Sequence, residues 1–166
     1  MTRTETSVVF AEAKTLIERP VADVFSFVTD PNNEPRWHTD IVEVRRGLEA
    51  DTASTPESSY HQGGLWIWTA RFMGRQAEGE VEVTVFEPNR RIEFTTRTGP
   101  VLPVATCLLE PADGGTIFIR RVEIPLQGGY RLAKPLIQRK AIKGQQRYVT
   151  NLKSILEHGE QMTWQP

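Results

Sequence analysis

The stretch IERPVADVFSFVTDPNNEPRWHTDIVEV, residues 17–44, changes its periodicity three times and sets the order of elements for the whole chain. Ile17 closes a run in which Val9, Ala11, Ala13, Thr15 and Ile17 are apolar or small while Glu12, Lys14 and Glu18 alternate with them. That period of two belongs to a strand with one buried face. Pro20 suits the first turn of a helix, where its missing N–H has no partner to lose, and Val21, Val24, Phe25 and Val28 then recur at helical spacing until Asp30-Pro31 stops the run. A second short helix is predicted over Asn32 to Trp37, and the β pattern returns at Ile41.

Outward from this stretch the β signal continues in Ile41 to Leu48, Tyr60 to Met73, Glu78 to Glu87, Arg91 to Thr98, Val101 to Glu110 and Thr116 to Ile124. The breaks carry turn chemistry: Pro-Asn at 88–89, Gly99-Pro100, and the Pro111 to Gly115 segment. Strands joined by such short turns run antiparallel. Residues 51–59, rich in Thr, Ser and acids without periodicity, read as a surface loop. From about Pro135 to Glu157 the period becomes helical, with Ile137, Ala141, Tyr148, Leu152 and Ile155 on one stripe and Arg139, Lys140, Lys143, Gln146 and Arg147 opposite. Glycines within the β segments, Gly63, Gly64, Gly74 and Gly79, are expected at bends, bulges or close backbone approaches, as a sheet curving over one helix requires.

Composition excludes several classes. The 166 residues, 39% hydrophobic and 25% charged, suit one domain over 1–166 with one sizeable core. Twenty basic against 21 acidic residues leave a net charge of −1, which gives nucleic acid no field to bind. The single Cys107 has no partner for an internal disulfide, and no Cys/His cluster has metal-ligand spacing, so neither a metal nor another cofactor is expected. MTRTETSVVF lacks the apolar core of a signal peptide, and no apolar run reaches bilayer length. The expectation is a cytoplasmic protein without stable membrane insertion, with monomer and homodimer both open.

The order of strand, two short helices, six strands and long helix resembles that of the START-like superfamily, also called SRPBCC. The 17–44 stretch resembles its opening signature, Glu87-Pro88 before Arg90-Arg91 resembles its turn, and Glu110-Pro111 followed by Gly114-Gly115-Thr116 resembles its last hairpin. The branch it looks most like is the polyketide cyclase/dehydrase group. The resemblance implies an α+β helix-grip fold, a curved seven-stranded antiparallel sheet with two short helices and a long C-terminal helix. It also implies a hydrophobic cavity between sheet and helix.

Seven residues stand out as candidate ligand contacts. Trp37, Trp66 and Trp68 offer rigid apolar wall with a polar handle, although core packing competes with this role for Trp37 and Trp66. Histidine is the natural acid–base residue, which makes His61 and its fellow candidate His38 of interest, and no carboxylate stands in a recognisable spacing with either. Arg71, like Arg97 and Arg120, lies in a β segment; any of the three that points inward needs an acidic partner or an anionic ligand. Tyr148 can meet a ligand oxygen from the helix. Gly144, near the edge of the buried helix stripe, costs about 1 kcal/mol against alanine, which its making room for a ligand or strand would explain. Cys107 reads as an inert core thiol, and no catalytic residue is assigned. The leading expectation is binding or transport of a small hydrophobic ligand such as a lipid, polyketide or aromatic metabolite. A cyclase or dehydratase using the same cavity, and a regulatory protein-interaction module, are the alternatives.

Overall fold

The computed structural model describes residues 7–47 and 59–159. The expected loop at 51–59 therefore lies outside the described residues except for Ser59. Strand β1 (Ser7–Ile17) leads to α1 (Val21–Val28), a 3-10 turn at Pro31–Asn33 and α2 (Glu34–Trp37). Six strands follow: β2 (Ile41–Arg46), β3 (Leu65–Phe72), β4 (Arg75–Glu87), β5 (Arg91–Thr96), β6 (Val104–Ala112) and β7 (Gly115–Leu126). A second 3-10 turn, Gly128–Arg131, delivers the chain to α3 (Lys134–His158). All strand pairs are antiparallel, in the order β1-β7-β6-β5-β4-β3-β2, so the first strand closes beside the last and β2 forms the far edge. This is the α+β helix-grip architecture.

Several boundaries move for local reasons. β3 begins at Leu65 and not at Tyr60, because Gly63 takes a positive φ of 80° and the Gly64 N–H turns back to the His61 carbonyl. β6 begins at Val104 after Pro103, whose nitrogen has no hydrogen to give a ladder. β4 reaches back to Arg75 because Met73 and Gly74, at φ 51° and 78°, make the tight left-handed turn that joins it to β3. Gly79 is a site of close approach, since a Cβ there would lie 2.5 Å from the Thr98 carbonyl oxygen. Register shifts between Ile41 and Glu43 and between Val83 and Val85 add the local twist that curves a sheet.

The period-two pattern of β1 buries Val9, Ala11, Ala13 and Ile17 and leaves Glu12 outside, paired with Arg121 of β7. α3 lies over β1 and β7 and buries Ile137, Tyr148, Val149 and Leu152. Ala141 and Ile155 of the expected stripe are only partly buried, and Val149 joins it. Side-chain to main-chain bonds fasten the helix along the edge strand: Gln138 Nε2 to Phe10 O at 2.6 Å and Lys153 Nζ to Leu16 O at 2.6 Å. Beyond Ile17, Arg19 Nε donates to Leu156 O at 2.7 Å. Among the described residues, no helix is long and apolar enough to cross a membrane.

Leu152 is fully buried between α3 and the sheet. Leu152→Ala should cost about 2–5 kcal/mol, the usual range for a leucine truncated in a core. Equilibrium denaturation showing no loss would remove α3 from the core.

Candidate functional site

α3 sits on β1 and β7, while helix contact with β3, β4 and β5 is local, as where Phe25 of α1 meets Phe86 of β4 at 5.4 Å between ring centroids. The inward side chains of these strands divide the concave face into two regions. One is solid: Ile17, Val24, Phe25, Val28, Trp37, Tyr60, Trp66, Val83, Ile92, Phe118, Val149 and Leu152 form a continuous core. The other is a cavity of about 480 Å³. Alternate residues of neighbouring strands wall it, with Trp68, Ala70 and Phe72 from β3, Ala77, Gly79 and Val81 from β4, and Phe94 from β5. Arg120, Val122 and Ile124 of β7 and Ile137, Ala141, Gln145 and Tyr148 of α3 close the other side. Gly79 lies opposite Trp68 in the ladder, so no side chain of β4 faces that indole across the pair.

A polar network stands where the 34–40 segment meets α3. Glu34 and His38 are four residues apart across one helical turn, and His38 Nδ1 lies 2.8 Å from Glu34 Oε1 with both side chains buried. A carboxylate oxygen accepts, so Nδ1 carries the proton and the lone pair of the neutral ring sits on Nε2. Burial holds the His38 pKa below the usual histidine value, and the nearby Arg120 adds to this; the hydrogen bond to Glu34 and the charges of Glu34 and Asp40 oppose without reversing it. The ring packs on Tyr148 at 4.3 Å between centroids and edge-on to Trp68 at 5.9 Å. The Tyr148 hydroxyl donates to Asp40, and burial followed by that bond raises its pKa well above the usual phenol range. Arg147 bonds both Asp40 oxygens, at 3.1 and 3.2 Å, and Asn151 Nδ2 donates to the Trp37 carbonyl at 3.2 Å.

Of the seven candidates, the structure brings Trp68, Arg71 and Tyr148 to the cavity, with Arg71 exposed at its rim. Trp66 lies in the solid core against Tyr60, at 5.0 Å between rings, and Trp37 packs edge-on to Phe118 at 5.9 Å. His61 is half-buried in the turn before β3, Nδ1 3.3 Å from Ser59 O, and is not part of the lining. Gly144 is buried, and a Cβ there would sit 3.1 Å from the Tyr148 hydroxyl; the room it leaves is taken by that side chain. Polar cavity residues outside the seven include Asp40, Gln145 and Arg120, the last weighed in the sequence only as a strand arginine that would need a partner if it pointed inward. Glu34 was missed too, although its spacing of four from His38 on a short helix was a readable signal. Cys107 is buried and its thiol is pushed up to about 12, chiefly by burial.

A family model described as polyketide cyclase / dehydrase and lipid transport matches residues 8–157. The chain belongs to that family. No curated protein matches it. Among solved structures it is similar to a START superfamily protein from Mycobacterium smegmatis, with 13% identity and a TM-score of 0.67 over 89% of this chain and 97% of the other. A protein from Thermus thermophilus gives 15% identity and a TM-score of 0.69 over 90% and 97%. DynU16, a protein in the dynemicin biosynthetic locus, gives 19% and 0.61 over 90% of this chain and 48% of its own length. These likenesses establish the fold of this polyketide cyclase / dehydrase family member. Among its described residues, no group of three or more His, Cys, Asp or Glu is placed to hold a metal ion.

The lowered His38 pKa fixes a sign for the pH dependence of stability. Below the unfolded value of about 6.5 the unfolded chain binds a proton that the native ring resists, so stability present above that pH is lost as pH falls toward the lower native value. Denaturation midpoints measured from pH 7.5 to 5 should fall more steeply for the natural protein than for His38→Gln, which keeps a donor for Glu34 but does not titrate. Parallel curves would show that His38 is not held neutral.

Proposed function

We propose that the protein binds a small, largely apolar molecule, a lipid, polyketide or aromatic metabolite, in the cavity between the concave sheet face and α3. The observation that carries this is the cavity itself: about 480 Å³, within the range of small-molecule sites, on a wall dominated by Trp68, Phe72, Val81, Phe94, Val122, Ile124 and Ile137. Apolar surface facing such a space gains by exchanging water for ligand. The family description, which names lipid transport beside cyclase and dehydrase activity, supports both binding and chemistry. With its one cysteine buried as a thiol, a reducing compartment such as the cytoplasm suits the protein.

One observation favours catalysis as a second reading. His38 lines the cavity, is oriented through Nδ1 by Glu34, and its Nε2 makes no hydrogen bond among the described residues. A neutral imidazole so placed can take a proton from a bound carbonyl compound, the step that begins a cyclisation or dehydration.

Native mass spectrometry of the purified protein should show a co-purifying lipophile. Titration with polycyclic aromatic probes should shift tryptophan emission, with most of the shift absent in Trp68→Phe. No bound species and no emission change with any probe would overturn the binding reading. His38→Gln should leave probe affinity within about tenfold, the scale of one lost hydrogen bond. If the same substitution lowers turnover of a poly-β-carbonyl substrate by about 10²–10⁴, the worth of a general base, the protein is an enzyme.

A further inference from the structure

Arg120 projects from β7 into a wall otherwise made of Trp68, Phe94, Val122 and Ile124, and is only 1% exposed. Its guanidinium has five N–H donors and no acceptor. Nη1 reaches the Arg121 carbonyl at 3.3 Å, Nε is buried without any acceptor, and the group stands over the Trp37 ring at 5.7 Å. Of the carboxylates in this region, Asp40 is engaged by Arg147 and Tyr148, and Glu34 holds His38 through Oε1 while its Oε2 is buried and meets no donor. Among the described residues none comes within ion-pair distance of Arg120. A desolvated cation with a buried N–H left unmet is a costly arrangement for a protein that binds only hydrocarbon.

The charge around the cavity points the same way. The whole chain carries −1, yet the charged residues lining the cavity are five basic, Arg71, Arg120, Lys140, Lys143 and Arg147, against two acidic, Asp40 and Glu78. Both acids are already paired, Asp40 with Arg147 and Glu78 with Arg45. Arg71, Lys140 and Lys143 are exposed at the rim, where a positive field draws anions inward. Deeper in, Gln145 is 5% exposed and its Oε1 meets no donor, an acceptor ready for a hydroxyl.

We infer that the ligand is an apolar acid: a hydrophobic body bearing one anionic oxygen group, a carboxylate or an ionised enol or phenol, seated on the Arg120 guanidinium. This rests on the cavity-binding reading and narrows it. A single buried guanidinium amid apolar walls matches a monoanion, which its fork can hold through two hydrogen bonds. A phosphate dianion would bring a second charge that no other buried cation on this wall meets.

The test uses two probes of the same shape, anthracene-2-carboxylate and anthracene-2-carboxamide, titrated by fluorescence into the natural protein, Arg120→Met and Arg120→Lys. The natural protein should bind the acid about tenfold or more tighter than the amide, as a desolvated charge-assisted pair implies. Arg120→Met should bring the two within about threefold, chiefly by weakening the acid, and Arg120→Lys should fall between, since it keeps the charge and loses the fork. Without ligand, Arg120→Met should melt no lower than the natural protein, because an apolar side chain removes a desolvation cost. A clearly lower melting point would mean that Arg120 is satisfied by the protein itself, which overturns the inference. Equal affinity of acid and amide for the natural protein overturns it too and leaves cavity binding standing, and this comparison needs no variant to fold. A preference for the acid that persists undiminished in Arg120→Met moves the anion to the rim lysines and overturns the assignment to Arg120. Failure of both probes to bind at all removes the cavity reading and this inference together.

Discussion

One long helix cannot cover the concave face of a seven-stranded sheet. α3 covers β1 and β7, where its apolar stripe and main-chain bonds to Phe10 and Leu16 hold it, and the inner surfaces of β3, β4 and β5 must find other partners. At one end the protein supplies them itself: Tyr60 packs on Trp66 and Phe94 at 5.0 and 4.8 Å, and Trp37, Phe118 and Leu152 fill the remaining volume. At the other end large side chains such as Phe72 and Ile137 stand around the space without filling it. The strands narrow to Ala70, Ala77, Gly79 and Ala105, and the cavity is the space those small residues leave. Stability and function are thus partitioned along the same strands. Trp68, between Trp66 in the core and Ala70 at the cavity, marks the division.

The polar groups follow the same partition. Several charged side chains lie outside in exposed or half-exposed pairs such as Arg45 with Glu78 and Arg97 with Glu82, whose individual worth to stability is small. Several buried polar groups converge on the boundary between core and cavity, among them Glu34, His38, Arg120, Tyr148 and Gln145. Burial there strengthens every interaction and raises the cost of any group left unmet. Glu34 orients His38, Asp40 takes the Tyr148 hydroxyl, and Gly144 keeps that hydroxyl free of a clash from its own helix. The network also ties the segment before β2 to α3, so the wall of the cavity is fixed by the same bonds that close the fold there.

Membership of the polyketide cyclase / dehydrase and lipid transport family sets the architecture and leaves the chemistry to the lining. At 13–19% identity to the solved structures compared above, a shared fold says nothing about which side chains face inward. What distinguishes this chain is therefore the content of its own cavity, an apolar wall with a buried guanidinium and an oriented imidazole.

How much of this was legible in the sequence depends on how local the determining physics is. Alternation in β1, helical spacing in α1 and α3, and turn residues between strands act within a few residues, so the element order, the antiparallel sheet and the burial of Ile137, Tyr148 and Leu152 could be read directly. Boundaries failed where one backbone torsion or one missing hydrogen decided them, at Gly63, Gly74 and Pro103. The site was less legible because the direction of a strand side chain matters only once its neighbours are placed. In β7, Phe118, Arg120 and Val122 share one face, but Ile117 and Ile119 lie on the other, so the pattern alone did not say which face was inward. Gly144 showed that room was needed without showing that Tyr148 takes it. The sequence alone determined that a curved sheet would close over one helix. Only the tertiary structure decided which alternate residues faced the space left over, because that depends on pairings between strands as distant as β1 and β7.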